Sequence, residues 1–283
     1  IGRNFMPTTT RPKAVITHER GSTSSVERAL RVLRVMSEGG GVRLTDIAAA
    51  ADLDKATALR LLDVMAREGF VTRDAVSKQF TLGPELTVLG AAALRRFDPR
   101  PLARPSLMRL AGVFQDTVVL SMRSGVESLC IDVEEGTYPI RANYLTVGSR
   151  RPLGVGAGSL ALLAWMPDDE REAALETLSG QLERYPRITP TLLRERIAQA
   201  RKCGYAVLLD VVVERMGGIG VAILDTQGRP VAALSIASLN ERILTREAAL
   251  AHALVREATV CQVRWAEAMR PDRRTPSHYQ EKN

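Results

Sequence analysis

The sequence predicts an α+β protein in two parts, a small helical N-terminal part that ends in a hairpin and a larger part in which antiparallel hairpins alternate with helices. Three observations support this prediction. The chain has 283 residues, a length that suits about two domains. Helix caps and helical spacing of apolar residues recur through residues 24–69 and precede two short strand patterns. Residues 99–270 alternate between strand and helix patterns.

The first predicted helix begins at a capping box. Ser24 and Glu27 are spaced so that the hydroxyl and the carboxylate satisfy each other's free amides. Gly39–Gly41 ends this helix. Its predicted inward face follows helical spacing and consists of Val26, Ala29, Leu30, Leu33 and Met36.

Two shorter helices follow. Thr45 is the predicted cap of the second helix, and Asp52–Leu53 makes a tight turn before Asp54 caps the third. The predicted inward residues of the second helix are Ile47, Ala48 and Ala51. Those of the third helix are Ala58, Leu61, Leu62 and Met65.

A hairpin and a connecting helix complete the N-terminal part. Gly69 ends the third helix, and residues 70–73 and 78–82 read as strands around the polar turn Asp74–Ser77. Leu86, Leu89 and Leu94 define a linker helix at 84–98. Three helices, a tight turn and a hairpin in this order are typical of a winged helix-turn-helix, so we assign residues 23–83 to such a domain.

The third helix is the predicted reading element, because a helix-turn-helix places one helix in the DNA major groove. Arg60 can hold a phosphate or pair with guanine, and we favour phosphate because most protein–DNA hydrogen bonds go there. The candidate DNA-binding residues on this helix and on the hairpin are Lys55, Ala56, Thr57, Arg60, Arg73 and Lys78.

The charge distribution agrees with a polyanionic partner. The net charge is +7, and residues 1–97 hold 15 basic and 10 acidic residues, which leaves +5 in that third of the chain. An ordinary charged surface and a winged helix used for protein contact remain as alternatives. RNA binding is disfavoured because aromatic residues make up only 4% of the chain.

The larger part reads as antiparallel strands with flanking helices. Strand patterns at 117–122 and 128–134 are followed by a loop at 139–152 and the small-residue segment 154–159. Helices are predicted at 107–114, from that segment to Trp165, at 168–178 and at 191–203. A second hairpin, at 220–224 and 230–238, precedes a long final helix capped by Thr245.

Several motifs resemble the IclR (isocitrate lyase regulator) family of bacterial transcription regulators. In the N-terminal part they are Arg28-Ala29-Leu30, Ala56-Thr57-Ala58-Leu59-Arg60-Leu61-Leu62 and Glu68-Gly69-Phe70-Val71. In the larger part they are Arg151-Pro152-Leu153, Gly156-Ala157-Gly158, Leu162-Leu163-Ala164, Gly204-Tyr205 and Val231-Ala232-Ala233-Leu234-Ser235-Ile236. The resemblance covers residues 24–268.

This resemblance implies a GAF-like domain at 99–270 that binds a small metabolite, forms dimers or tetramers and alters DNA binding. Carried over by motif, the implied effector-binding residues are Gly156, Ala157, Gly158, Asp210, Gly220, Ser235 and Ala237. Bare amides of a glycine-rich helix start can donate to a carboxylate, and Ser235 adds an adaptable hydroxyl.

The remaining features predict no catalysis, metal site or cofactor. Cys130, Cys203 and Cys261 are odd in number and widely spaced, which suits a reducing cytoplasm and offers no zinc framework. His18, His252 and His278 converge on no catalytic arrangement. We expect no membrane span or signal peptide, a flexible arm at 1–22 that could touch DNA, and a disordered tail at 271–283.

The sequence therefore predicts a ligand-responsive transcriptional regulator. We expect a homodimer, and further a homotetramer, on a double-stranded DNA operator with partly palindromic half-sites. A repressor of a catabolic operon, relieved by a carboxylate, aromatic acid, lactone or similar metabolite, is favoured over an activator. The alternative is a metabolite-binding sensor or enzyme whose winged helix serves protein association.

Overall fold

The computed structural model describes residues 24–37, 39, 43–96, 98–141 and 145–269. The predicted arm at 1–22, the predicted tail at 271–283 and two glycines of the predicted helix stop, Gly40 and Gly41, lie outside these ranges. The chain divides into two compact units, residues 1–97 and residues 98–283.

The smaller unit is a helical bundle with a hairpin. Its described elements are α1 (Ser25–Ser37), α2 (Leu44–Ala50), α3 (Lys55–Arg67), β1 (Val71–Arg73), β2 (Phe80–Leu82) and α4 (Glu85–Arg96). β1 and β2 pair antiparallel, with Val71 opposite Leu82. The core of this unit joins Val32 of α1, Ile47 of α2, Leu62 of α3 and Phe80 of β2, each at most 1% exposed. This arrangement confirms the helix-turn-helix and hairpin prediction.

Two of the three helix caps predicted in the smaller unit are confirmed. The Ser24 amide donates to the Glu27 carboxylate at 2.7 Å, and the Glu27 amide donates to Ser24 Oγ at 3.2 Å. Asp54 Oδ1 accepts from the Thr57 amide at 2.9 Å. The prediction for Thr45 is wrong, because α2 begins at Leu44. Thr45 is therefore already inside the first turn, and its hydroxyl contacts the Asp46 carboxylate instead.

The predicted inward face of α1 is partly wrong. Val26 and Leu30 are 68% and 50% exposed, whereas the buried residues of α1 are Val32, Val35 and Met36. The second half of the helix packs against the unit's core, so the buried stripe is displaced around the helix from Val26 and Leu30. By contrast, Ile47, Ala48, Ala58 and the other inward residues predicted for α2 and α3 are buried or half-buried.

The larger unit is built on one antiparallel sheet. Its strands are β3 (Thr117–Ser124), β4 (Glu127–Glu134), β5 (Arg150–Pro152), β6 (Ala206–Leu209), β7 (Met216–Leu224) and β8 (Pro230–Leu239). The order across the sheet is β5-β4-β3-β8-β7-β6, and every neighbouring pair is antiparallel. The described helices around it are α5 (Arg100–Phe114), α6 (Ala157–Ala164), α7 (Asp168–Leu178), α8 (Pro190–Cys203), α9 (Asn240–Leu244) and α10 (Glu247–Ala268). The α+β prediction with an antiparallel sheet and flanking helices is confirmed.

The sequence patterns missed the two edge strands, β5 and β6. Each has three or four residues, which is too short to show a period, and β5 lies in the stretch predicted as a loop. The prediction that Thr245 caps the final helix is also wrong. α9 ends at Leu244, so the Thr245 hydroxyl donates back to the Glu241 carbonyl, and Arg246 precedes α10.

α6 is the central helix of the larger core. All eight of its residues are buried, and the core around it includes Leu153, Leu178 and Leu193. At its N-terminal end, a Cβ on Gly220 of β7 would lie 2.9 Å from the Ala157 carbonyl carbon. Helix and sheet therefore approach closely enough to require glycine there. Among the described helices, none has the length and apolar character of a membrane span.

Candidate functional site

The exposed face of α3 carries the predicted reading residues. Lys55, Ala56 and Arg60 are exposed, and Thr57 is half-buried. Arg60 Nη2 donates to Thr57 Oγ1 at 3.2 Å, so these two side chains form one polar group on the helix surface. Hydrogen bonds from Thr57 hold the pKa of the Asp54 carboxyl below its usual value. The cap is therefore charged at neutral pH and stabilises the positive end of the helix.

The hairpin holds its two predicted basic residues in different ways. The Arg73 guanidinium lies 5.1 Å from the centre of the Phe80 ring, in the strand pair next to the turn of the hairpin. Lys78 has a φ of 58°, and its Nζ donates to the Ala75 carbonyl at 2.6 Å. The intervening turn is ordered by Asp74, which accepts from the Ser77 amide at 2.6 Å. α3 and the hairpin thus offer a polar, basic surface within the smaller unit.

A separate cavity of about 60 Å³ lies in the larger unit, between the start of α6 and the sheet. All six strands, or the loops next to them, contribute to its wall. Its described lining residues are Val119, Ser121, Ser128, Leu145, Arg151, Val155, Gly156, Ala157, Gly158, Ser159, Leu208, Val211, Val212, Met216, Gly217, Gly218, Ser235, Ile236 and Ala237.

The structure brings five of the seven implied effector-binding residues to this cavity: Gly156, Ala157, Gly158, Ser235 and Ala237. The other two lie outside its lining. Asp210 Oδ1 accepts from the Arg215 amide at 2.7 Å and orders the loop before β7. Gly220 packs against the backbone of α6. The sequence motif could not show which of these residues line the cavity, because a motif specifies residue types and spacing and not the neighbours that each residue contacts.

The start of α6 offers backbone donors to the cavity. Gly156 precedes the helix with a φ of 113°, a conformation that favours glycine, and no side chain caps the helix there. The Ser159 hydroxyl turns away, accepting from the Gly154 amide at 3.0 Å and donating to the Pro152 carbonyl at 3.1 Å. The first amides of a helix have no partner within it and carry partial positive charge, so they can bind an oxyanion.

Four polar residues of the cavity wall were missed as site residues: Arg151, Ser121, Ser128 and Ser159. Arg151 Nη1 lies 3.8 Å from the position that a Cβ on Gly156 would occupy. Ser128 lies opposite Arg151 in the β4–β5 register. A sequence signal for Arg151 was present, since this residue belongs to one of the motifs that carry the family resemblance. Its position in the cavity depends on β5, which the sequence patterns did not reveal.

Cys130 and Cys261 are buried, whereas Cys203 is exposed. Burial raises the pKa of the Cys130 thiol to about 11, and burial also raises the pKa of Cys261. In the described ranges, no group of histidine, cysteine and acidic side chains could hold a metal ion.

Comparisons with known proteins identify the family. Residues 91–262 match the C-terminal domain of the bacterial transcriptional regulator IclR, and residues 25–75 match the IclR helix-turn-helix domain. The HTH-type transcriptional repressor AllR of Escherichia coli is 30% identical over 224 residues, which is 77% of this chain and 81% of AllR. The HTH-type transcriptional regulator XynR of Escherichia coli is 29% identical and covers 77% of this chain and 87% of XynR.

Solved structures show the same architecture. An IclR transcriptional regulator from Alicyclobacillus acidocaldarius has a TM-score of 0.70 at 25% identity, covering 86% of this chain and 98% of that one. An IclR homologue from Microbacterium hydrocarbonoxydans in complex with 4-hydroxybenzoate has a TM-score of 0.69 at 25% identity, covering 87% of this chain and 100% of that one. AllR, XynR and the Alicyclobacillus protein are named as transcriptional regulators or repressors. With family matches over both units, the chain belongs to the IclR family of bacterial transcriptional regulators.

Proposed function

We propose that this family member is a ligand-responsive repressor of a catabolic operon and that a small metabolite relieves repression. The observation that carries the proposal is the cavity at the start of α6, in the same chain as a helix-turn-helix. AllR is named as a repressor, and the Microbacterium relative was solved with 4-hydroxybenzoate. The name of AllR supports repression, and the bound 4-hydroxybenzoate of the Microbacterium relative supports a response to a small molecule.

The DNA-binding part of the proposal rests on α3 and the hairpin. Thr57 and Arg60 lie one turn apart on the side of α3 that faces away from the buried Ala58 and Leu62, and Lys55 is exposed in the first turn of the helix. We propose that Arg60 contacts a phosphate, that Lys55, Ala56 and Thr57 approach base edges, and that Arg73 and Lys78 contact the backbone beside the groove. The arm at 1–22 is an additional candidate contact.

We propose a homodimer as the DNA-bound species. One protomer carries one reading helix, and two such helices match two half-sites about one helical turn apart or a multiple of it. A tetramer that joins two dimers is the further expectation.

The DNA claim is tested by fluorescence anisotropy with the promoter region of the protein's own gene, at several salt concentrations. We expect sequence-preferring binding that weakens as salt rises. Arg60→Ala should weaken binding to all sequences if Arg60 contacts phosphate, whereas relaxed preference at one base pair would indicate base readout. Arg229→Ala is the matched control, because it removes one exposed arginine from the other unit. Absence of salt-sensitive, sequence-preferring binding would contradict the proposal.

The ligand claim is tested with Ala157→Trp, which places a large side chain in the cavity wall. We expect this variant to bind promoter DNA normally and to lose release by the effector. If release persisted unchanged, the cavity would not be the effector site.

A further inference from the structure

The outward side of α10 carries a regular seam of residues. Six of its residues follow one another at alternating steps of four and three, which is the spacing of the contact positions of a coiled coil. These residues form the outer seam, which consists of Ala249, Ala253, Arg256, Val260, Val263 and Glu267. Four of them are exposed and two are half-buried, whereas Leu250, Leu254 and Cys261 on the adjacent inward side are buried. The outer seam is therefore available to a partner.

A groove and exposed apolar side chains lie beside the outer seam. α5 packs against α10, and a groove of about 220 Å³ between them is lined in part by Met108, Ala253 and Arg256. Met108 is 55% exposed and Val263 is 54% exposed. Apolar surface of this kind, bordered by charged side chains, is typical of a protein contact site.

The outer seam has opposite charges at two of its positions. Glu267 follows Arg256 by 11 residues, which is about three turns, or about 16 Å along the same side of the helix. Val260 and Val263 lie between them, so the steps along this part are four, three and four residues. Glu267 is exposed, and within the described part of the chain it has no ion-pair partner. The spacing is thus the same in both directions, with a positive charge at one end and a negative charge at the other.

The charged group around Arg256 has a net positive charge. The Glu257 carboxylate is 3% exposed, binds Arg109 through both oxygens and contacts Arg256 at 3.4 Å. Two guanidinium groups thus share one carboxylate, and more than half of the Arg256 side chain remains exposed. One further carboxylate at this position would balance the charge, and its hydrogen bonds with the guanidinium would be charge-assisted.

Resting on the homo-oligomer of the proposed function, we propose that α10 pairs with α10 of a second copy of this chain, in antiparallel orientation along the outer seam. The two-fold axis lies midway between Val260 and Val263, so each Val260 faces Val263 of the second copy. Each Arg256 faces Glu267 of the second copy, and the same contact is repeated on the other side of the axis, as a two-fold interface requires. A parallel pair would place like charges opposite each other, which is unfavourable.

The size of this contact sets its expected strength. A single helix seam buries less surface than the roughly 1,600 Å² of a standard stable interface. We therefore expect an assembly step that depends on protein concentration in the micromolar range.

The contact is tested by analytical ultracentrifugation of the full chain without DNA, over a series of micromolar concentrations. Val263→Glu places an unpaired charge against Val260 of the second copy, so it should weaken association at least about 10-fold and halve the mass of the assembled species. Val255→Glu is the matched control. Val255 is 44% exposed on the same helix and points about 100° away from Arg256, so this variant should assemble like the wild type. Circular dichroism establishes that each variant is folded.

A charge exchange tests the pairing of Arg256 with Glu267. Arg256→Glu alone and Glu267→Arg alone each place like charges opposite each other, so each should weaken association at least about 10-fold. The double variant should recover most of the wild-type affinity, because opposite charges face each other again. A loss caused only by the new glutamate beside the buried Glu257 would not be recovered by a change three turns away.

Disulfide formation tests the antiparallel orientation. All chains carry Cys203→Ser, which removes the exposed native thiol. One chain also carries Arg256→Cys and the other carries Glu267→Cys. An equimolar mixture should form a disulfide between the two chains under mild oxidation, whereas each chain alone should not, because its own two cysteines would lie about 16 Å apart along the seam.

The results separate this inference from the proposed function. An assembled mass that is the same for Val263→Glu and Val255→Glu would overturn the contact and leave the outer seam to a different protein partner. A double charge variant that did not recover, or disulfides that formed as readily in each chain alone, would overturn the antiparallel pairing. Failure of the proposed function would show instead as the absence of salt-sensitive promoter binding by the wild-type chain.

Discussion

The carboxylate of Asp116 binds Arg246, 130 residues later in the chain, at 2.6 Å. Asp116 also accepts from Ser238 Oγ at 2.6 Å and from Arg242 Nε at 3.0 Å. Its side chain is 1% exposed. One buried carboxylate thus joins the start of β3, the end of β8 and the helices α9 and α10, and it holds together the sheet that forms the cavity.

Asp116→Ala should lower the free energy of unfolding of the larger unit by about 3 to 5 kcal/mol, because two partly buried guanidinium groups lose their counter-charge. Urea unfolding followed by circular dichroism measures this change. The control is Glu170→Ala, which removes a more exposed carboxylate that contacts Arg123 and Arg229 and should cost less than about 1 kcal/mol. If Asp116→Ala lowered the free energy of unfolding no more than this small control change, the Asp116 cluster would not stabilise the fold as proposed.

Asp54→Ala should loosen the start of α3 and weaken promoter binding, since the free amide of Thr57 loses its partner. Asp54→Asn should retain most of the cap, because asparagine is an equally good capping residue. Hydrogen bonds from Thr57 lower the pKa of Asp54 in the folded protein, so the ionised cap stabilises α3 fully at neutral pH. The effect is lost as the pH falls below the ordinary value of 3.8.

Thermal melts of wild type and Asp54→Ala at pH 7 and at pH 3 measure this effect. The difference in melting temperature should be present at pH 7 and smaller at pH 3. A difference that grew at low pH would contradict the role of the ionised carboxylate.

Gly220→Ala should destabilise the larger unit by about 1 to 3 kcal/mol through overpacking. The added methyl group would lie 2.9 Å from the Ala157 carbonyl carbon and from the Gly158 nitrogen, both backbone atoms of a buried helix. Gly180→Ala is the control, since a Cβ there meets nothing within 4 Å. If both variants unfolded at the same urea concentration, the close approach of β7 and α6 would be wrong.

Cys130 should react slowly with iodoacetamide at pH 8. Its pKa of about 11 leaves about one thiol in a thousand ionised at that pH, and the thiolate is the reactive form. Cys203 is exposed and should be modified first, as peptide mass spectrometry would show. The rate of Cys130 modification should increase as the pH rises toward the pKa of its thiol. Equal modification rates for Cys130 and Cys203 at pH 8 would contradict the burial of Cys130.

Local signals predicted much of the fold, and their failures have local causes. The cap at Asp54 was predictable because the cap, the turn before it and the helix after it lie within a few residues. The same reasoning failed at Thr45 and Thr245, because α2 begins two residues earlier, and α10 one residue later, than a cap at that threonine requires. A capping residue type is informative only when the boundary is known.

The sequence by itself predicted the order of most elements, the helix-turn-helix and the family. These features depend on short-range spacing, on side-chain type and on motifs that each lie within one strand or one helix. Only the tertiary structure decided the composition of the cavity. Arg151 meets Ser128 through the β4–β5 register, while Asp210 and Gly220 are used in a loop and in packing. Residues far apart in the chain become neighbours through strand pairing and helix packing, and no local pattern encodes that proximity.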